Sequence, residues 1–168
     1  DVINICTVSR VRFFEKKIDV MLDVVRGLVS AGYHINFVLC GDGEDFNLVK
    51  DIVVKERLED FVTLRGYVDN ARDIYSENDI ALVATVAGES GVSGMMALDA
   101  GCCLIGIEST DQEIEVSALN EGDSKLYFSN DVVNLVEFCS TLIDNPVFQN
   151  FYRSICLNRK ESNIENFK

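Results

Sequence analysis

The sequence predicts a doubly wound α/β domain with a mainly parallel sheet of about six strands and helices on both faces. Short apolar runs alternate with longer segments whose apolar residues recur at helical spacing, as in βαβ units. The runs are rich in β-branched residues, which is typical of strands covered on both faces. The 168 residues suffice for one domain with a sizeable core. We therefore expect a single Rossmann-like domain.

In the first half of the chain, each strand is followed by a helix. Val2–Val8 is the first strand, and the helix near Lys16–Ala31 has one apolar stripe and ends at Gly32. The next pair consists of strand Ile35–Cys40 and a helix from about Glu44 to Arg57. The stripe of the first helix is formed by Ile18, Met21, Leu22, Val25, Leu28 and Val29.

The second half continues the alternation and ends in two helices. Asp131 or Asn130 is expected to cap the first of these, and Pro146 to separate the two. The predicted elements are strand Phe61–Leu64, helix Asn70–Ser76, strand Ile80–Ala84, helix Ser93–Ala100, strand Cys102–Ile107, strand Lys125–Phe128, the capped helix and a last helix Val147–Asn158.

Composition excludes several classes of protein. A formal net charge of −13 argues against non-specific binding of nucleic acid and against docking on anionic lipid through this domain. No apolar run reaches the roughly 20 residues that a membrane helix requires. The six cysteines are unclustered and His34 is the only histidine, so we expect buried free thiols, no metal site and a cytoplasmic protein.

Three groups of residues follow predicted strand ends. Ser9-Arg10 with Lys16 follows the first strand, Gly41-Asp42-Gly43 the second and Gly88–Gly94 the fourth. Right-handed crossovers bring the carboxyl ends of parallel strands to one edge of the sheet, where ligands bind. We therefore expect these groups to share one crevice.

The segment Gly88–Gly94 is the most informative of the three. Its glycines let the backbone approach a ligand closely, and the following helix adds unpaired N–H groups and a partial positive charge. Together these features favour a phosphate cradle. The segment is neither a P-loop nor a dinucleotide fingerprint. The alternative is a flexible turn with Ser93 as the helix N-cap.

Charged residues near the crevice suit a phosphate-bearing ligand. Arg10 can hold phosphate bidentately and Lys16 adds a point charge. Asp99 is placed to accept hydrogen bonds from ribose hydroxyls. Each feature also has a plain structural interpretation: the basic residues as a solvated helix start, Asp99 as an exposed helix residue and Gly41-Asp42-Gly43 as a tight β–α turn.

The same residues, in this order, resemble the C-terminal domain of retaining GT-B glycosyltransferases of the group 1 type. The likeness runs from Val2 to about Phe167. It is carried by Val8-Ser9-Arg10 with Lys16-Lys17-Ile18-Asp19, by Val38-Leu39-Cys40-Gly41-Asp42-Gly43-Glu44, by Val62-Thr63-Leu64-Arg65-Gly66-Tyr67-Val68, by Glu89 through Asp99-Ala100-Gly101, and by Asp144-Asn145-Pro146.

This resemblance implies a donor-binding domain for a nucleotide-diphosphate sugar, either a UDP- or a GDP-sugar, with no further cofactor. It implies catalytic roles for Arg10, Lys16 and Glu89, the two cations on the diphosphate and Glu89 near the sugar. The remaining donor-binding positions that it implies are Gly41, Tyr67 and Val68, the last two near the base, Ser90, Gly91, Val92 and Ser93 over the sugar and distal phosphate, and Asp99 on the ribose.

The resemblance covers only half of a GT-B enzyme. Residues 1–168 would form the donor domain, and the N-terminal acceptor domain is absent. We therefore expect a fragment, or a subunit with a separate acceptor domain, that is inactive alone. The complete enzyme would transfer sugar to a polysaccharide, lipopolysaccharide or glycolipid, peripheral to the inner face of the membrane through the missing half.

Departures from the family pattern keep two alternatives open. Ser9 stands where the family has glycine, Asp99 replaces glutamate, and Glu89 lies ten positions before Asp99 instead of eight. A non-catalytic degenerate module that pairs with another protein is one alternative. A sugar-nucleotide epimerase-like enzyme of similar shape is the other.

Overall fold

The computed structural model describes residues 1–85, 91–109 and 126–165. Within these ranges the strands are β1 Ile3–Val8, β2 Ile35–Cys40, β3 Val62–Gly66, β4 Ile80–Thr85, β5 Cys103–Glu108 and β6 Tyr127–Ser129. They form one sheet in the order β3-β2-β1-β4-β5-β6, and every neighbouring pair is parallel. The predicted parallel, doubly wound sheet is confirmed.

The helices in the same ranges are α1 Ile18–Ser30, α2 Phe46–Lys55, α3 Ala71–Ser76, α4 Gly91–Asp99, α5 Val132–Asp144 and α6 Pro146–Glu165. Each corresponds to a predicted helix. Among them, none is at once long and apolar enough to cross a membrane. Lys125, the predicted start of β6, lies outside the described residues.

Local sequence signals explain where helices begin and end. Gly32 adopts a left-handed φ of 91° after α1, and the Tyr33 N–H donates to the Leu28 carbonyl at 3.1 Å, as in a Schellman cap. Asp131, not Asn130, caps α5 by accepting from the Asn134 N–H at 3.0 Å.

The core lies on both faces of the sheet. All six residues of β5 are buried, as are Ile18, Met21, Leu22, Val25 and Leu28 of the predicted α1 stripe. Right-handed crossovers put α1 and α2 on one face and α3 and α4 on the other. In agreement, α3 packs against α4. Helix α1 packs against α5. All six cysteines are free and buried, as expected.

The direction of the chain through the sheet reverses between β1 and β4. The connection after β1 leads to β2 on one side, whereas the connection after β4 leads to β5 on the other. The two connections therefore diverge above the carboxyl ends of β1 and β4 and leave a crevice, the usual ligand position in doubly wound sheets.

Candidate functional site

The β1–α1 loop, residues 9–17, is braced by the β2–α2 loop, residues 41–45. The Ser9 N–H donates to the Cys40 carbonyl at 3.0 Å, and the Val11 N–H donates to the Asp42 carbonyl at 3.1 Å. The Asp45 N–H returns a bond to the Val11 carbonyl at 3.1 Å, and Val11 is fully buried. The loop that carries Arg10 is thus held by backbone hydrogen bonds to β2 and to the β2–α2 loop.

Close contact between these two loops explains the Gly41-Asp42-Gly43 pattern. Gly41 has a φ of 141°, and a Cβ at this position would overlap the carbonyl oxygen of Ser9. A Cβ on Gly43 would lie 2.5 Å from the carbonyl oxygen of Val11. The glycines are needed because another backbone occupies the space of a side chain.

The first turn of α4 is attached to the end of β1. The Ser93 hydroxyl donates to the Val8 carbonyl at 2.7 Å and is also hydrogen-bonded to the Tyr75 hydroxyl. The alternative in which Ser93 is the helix N-cap is wrong, because α4 begins at Gly91 and the hydroxyl bonds to a different element. The predicted start of this helix at Ser93 was two residues late.

The Ser93–Val8 contact brings the β1–α1 loop and the first turn of α4 to the same crevice. Arg10 follows Val8 by two residues and is exposed, and Gly91 opens the helix that contains Ser93. Val92, which lies between Gly91 and Ser93, is 70% exposed. The sequence predicted that these segments share one edge of the sheet, because right-handed crossovers bring the carboxyl ends of parallel strands together.

Among the basic residues Arg10, Arg12 and Lys16 of the β1–α1 loop, Arg12 forms ion pairs with acidic side chains. The Arg12 guanidinium donates to the Glu15 carboxylate at 2.8 Å and lies 3.7 Å from that of Glu44. The hydrogen bond from Arg12 holds the pKa of Glu15 below its ordinary value. Within the described part of the chain, no carboxylate lies within ion-pair distance of Arg10 or Lys16. Both cations nevertheless lie near enough to Glu15 to help lower its pKa.

Tyr67 and Val68 lie farther along the same edge of the sheet. They follow β3, and Tyr67 is 76% exposed while Val68 packs against the core. The Gly41 N–H donates to the Gly66 carbonyl at 2.7 Å, which ties the start of this loop to the end of β2. With strands roughly 5 Å apart, Tyr67 stands about two strands, or ~10 Å, from the end of β1.

Asp99 is at the opposite end of α4 from the crevice. It is the last residue of the helix and lies eight residues beyond Gly91, which corresponds to roughly 12 Å along the axis. Its Oδ2 lies 3.4 Å from Nη2 of Arg72 on α3. The structure therefore pairs Asp99 with α3 and does not group it with Arg10 and Lys16.

One residue at the crevice, Tyr75, was not predicted, and two predicted residues lie outside the described ranges. Glu89 and Ser90 lie outside the described residues. Tyr75, whose hydroxyl meets Ser93, was not predicted, because in the sequence it is one apolar residue of a short helix. Within residues 1–85, 91–109 and 126–165, no three His, Cys, Asp or Glu side chains are grouped so as to hold a metal ion.

Comparison with known families decides the relationship. The sequence model for "Glycosyl transferases group 1" matches residues 3–145, most of the chain. The chain belongs to the group 1 glycosyltransferases. The match confirms the resemblance inferred from the order of the motifs, and with it the transferase class.

Individual relatives of this glycosyltransferase chain are distant. The GtfA subunit of the UDP-N-acetylglucosamine–peptide N-acetylglucosaminyltransferase of Streptococcus pneumoniae is 28% identical over 94 residues, 56% of this chain and 18% of the relative. Among solved structures, Staphylococcus aureus TarM, crystallised with fondaparinux, α-GlcNAc-glycerol and UDP, superposes with a TM-score of 0.71 at 18% identity. That superposition covers 98% of this chain and 34% of TarM.

A solved C-terminal domain matches at nearly its full length. The C-terminal domain of the group 1 glycosyltransferase LpcC from Francisella tularensis superposes with a TM-score of 0.69 at 15% identity, covering 93% of this chain and 83% of that domain. At such identities these structures establish the GT-B-type α/β fold. The chain spans about a third or less of the full-length GtfA and TarM proteins it matches.

Proposed function

We propose that this glycosyltransferase chain is the donor-binding domain, which holds a nucleotide-diphosphate sugar in the crevice between β1 and β4. The observation that supports the proposal most is the Ser93–Val8 hydrogen bond, since it joins the loop carrying Arg10 and Lys16 to the first turn of α4. A helix N-terminus and two cations that form no ion pair with a described carboxylate suit a diphosphate.

The donor is proposed to carry uridine. The curated relative is named for UDP-N-acetylglucosamine, and the TarM structure contains UDP. Tyr67, largely exposed beyond β3, offers an aromatic face to a base, with Val68 beside it. A GDP-sugar remains the alternative donor, so both nucleotides belong in the same titration.

The other proposed contacts follow from the same placement. Arg10 and Lys16 bind the diphosphate, the backbone of Ser90, Gly91, Val92 and Ser93 covers the distal phosphate and the sugar, and Glu89 lies near the sugar. Gly41 contributes by letting the β1–α1 loop approach the end of β2. Asp99 is proposed to bind the ribose, and its Oδ2 also lies 3.4 Å from Nη2 of Arg72.

Transfer is proposed to proceed with retention at the anomeric carbon. As the bond between sugar and diphosphate breaks, negative charge grows on the leaving phosphate oxygens. Arg10, Lys16 and the α4 N-terminus would stabilise that charge, and groups fixed before the reaction do so without reorganisation. The acceptor hydroxyl would bond to the anomeric carbon on the face that the diphosphate leaves, and its proton would pass to an oxygen of the leaving phosphate.

The acceptor is proposed to be bound by other residues than these. The chain aligns with only 34% of TarM, which leaves room for an acceptor-binding domain or subunit in the working enzyme. A polysaccharide, lipopolysaccharide or glycolipid acceptor at the inner face of the membrane is proposed. The 168-residue chain should then bind donor without transferring sugar, acting in the cytoplasm with that partner.

A second candidate is a non-catalytic module that pairs with an active transferase. Asp99 is engaged by Arg72 at the far end of α4, and the curated relative is itself named as a subunit. Such a module would retain the fold and the protein partner but lose the nucleotide.

Calorimetric titration with UDP and GDP separates the two candidates. Saturable binding of UDP with a 1:1 stoichiometry, weaker for GDP, supports the donor-binding domain. Binding of neither nucleotide up to millimolar concentration would sink that proposal and favour the non-catalytic module.

A further inference from the structure

A chain of hydroxyl groups links three elements at the crevice. Ser93 has one hydroxyl proton, and the geometry directs it to the Val8 carbonyl at 2.7 Å. The Tyr75 hydroxyl must therefore donate to Ser93 Oγ, because the serine oxygen has no second proton to offer. We call this series, Tyr75 to Ser93 to the Val8 carbonyl, the hydroxyl relay.

Tyr75 is suited to be the permanent donor of the relay. It is completely buried, and this burial raises the pKa of its phenol well above the ordinary value, so the proton stays on the oxygen throughout the working pH range. Phenylalanine would fill the same space without burying a polar oxygen. The hydrogen bond to Ser93 is therefore what distinguishes tyrosine from phenylalanine at this position.

The opposite side of the same backbone segment is also held. The Ser9 N–H donates to the Cys40 carbonyl at 3.0 Å, and the glycine at position 41 lies directly against the Ser9 carbonyl. The end of β1 is therefore fixed between β2 on one side and the first turn of α4 on the other. Arg10 is the next residue along the chain.

We infer that the hydroxyl groups of Tyr75 and Ser93 position the diphosphate of the donor through the relay without themselves touching it. The inference rests on the proposed function. The relay fixes the distance from the α4 N-terminus to the loop carrying Arg10, and a diphosphate must contact both. Preorganised contacts of this kind gain affinity because less order is lost on binding.

The test removes each hydroxyl of the relay with little change of volume. In Tyr75→Phe and Ser93→Ala, the affinity for UDP should fall about tenfold, which is the change expected from the loss of one hydrogen bond. The affinity for uridine, which has no phosphate, should change by less than about twofold. Ser93→Thr keeps the hydroxyl and should restore most of the affinity for UDP.

Matched controls remove comparable hydroxyls away from the crevice. Tyr127 donates to the Asn134 carbonyl at 3.2 Å, and Ser140 donates to the Val136 carbonyl at 2.8 Å. Tyr127→Phe and Ser140→Ala should leave the affinity for UDP at the wild-type value. Calorimetry for UDP and ligand-observed NMR for uridine are run well below the melting temperature of each variant.

The outcomes separate this inference from the proposed function. Wild-type affinity for UDP in folded Ser93→Ala and Tyr75→Phe overturns the inference alone, and so does an equal loss of affinity for UDP and uridine. If Tyr75→Phe does not fold, Ser93→Ala decides. Failure of the wild-type chain to bind UDP overturns the proposed function and this inference with it.

Discussion

Replacing Arg10 or Lys16 with alanine is the most direct test of the diphosphate site. Arg10 is exposed and Lys16 half-buried, and in the part of the chain that the structure describes neither has a carboxylate within ion-pair distance. Because removing either charge breaks no ion pair among the described residues, the free energy of unfolding should change by less than about 0.5 kcal/mol.

The effect on ligand binding should be much larger than the effect on stability. A charge-assisted hydrogen bond contributes about 1.5–3 kcal/mol, which corresponds to a roughly 10- to 150-fold loss of affinity for UDP in each variant. The loss should be smaller at high salt, because ions screen charges at an open crevice. For uridine the affinity should stay the same, since no phosphate is present.

The assay is calorimetric titration of each variant with UDP at two salt concentrations. Lys50→Ala is the matched control, because Lys50 is an exposed lysine of α2 and its loss makes the same change of net charge. If Arg10→Ala and Lys16→Ala bind UDP as Lys50→Ala does, the cations do not face a diphosphate and the proposed site is refuted.

Four further predictions concern three glycines of the framework and Glu15 of the β1–α1 loop. Gly41→Ala should lower the free energy of unfolding by at least about 3 kcal/mol, since its Cβ has no room and its φ is 141°. Gly32→Ala, with a φ of 91° and open space, should cost only about 1–2 kcal/mol in the same urea titrations. In Gly27→Ala the new Cβ would lie 2.6 Å from Val136, so unfolding should become easier by about 1 kcal/mol or more, and a double variant with Val136→Ala should be more stable than the sum of the two single changes. The folded-state pKa of Glu15 is lowered, so the stability it contributes is present above its ordinary pKa of 4.5 and is lost as pH falls through the lowered value. Urea unfolding between pH 3 and 6 should show a flatter pH dependence in Glu15→Gln, and an unchanged slope would contradict this assignment.

The sheet could be predicted because its signals are local. Each strand is a short apolar run and each helix an apolar stripe, so the element order follows from periodicity. The last helix shows where this reasoning stops. Pro146 separates α5 from α6 as predicted, but α6 begins at Pro146 itself, where proline's missing N–H has no cost, and ends at Glu165 instead of about Asn158.

The candidate site was predictable only in part. Parallel register pairs Val8 with Cys40, so placing the loops after β1 and β2 side by side needs only the strand order. The partner of Asp99 needs the packing of α3 on α4, which brings Arg72 within reach. Tyr75 left no signal, because a contact among residues 8, 75 and 93 arises only after three elements are assembled.

The bracing of one loop by its neighbour has a consequence for the order of events in catalysis. Since the backbone around Arg10 is tied down by bonds to residues 40–45, it reaches its working shape when the sheet forms, before any small molecule arrives. If the proposed function holds, binding of the donor and docking of an acceptor-binding partner would then be independent steps. Either could come first, because neither would be needed to form the proposed diphosphate site.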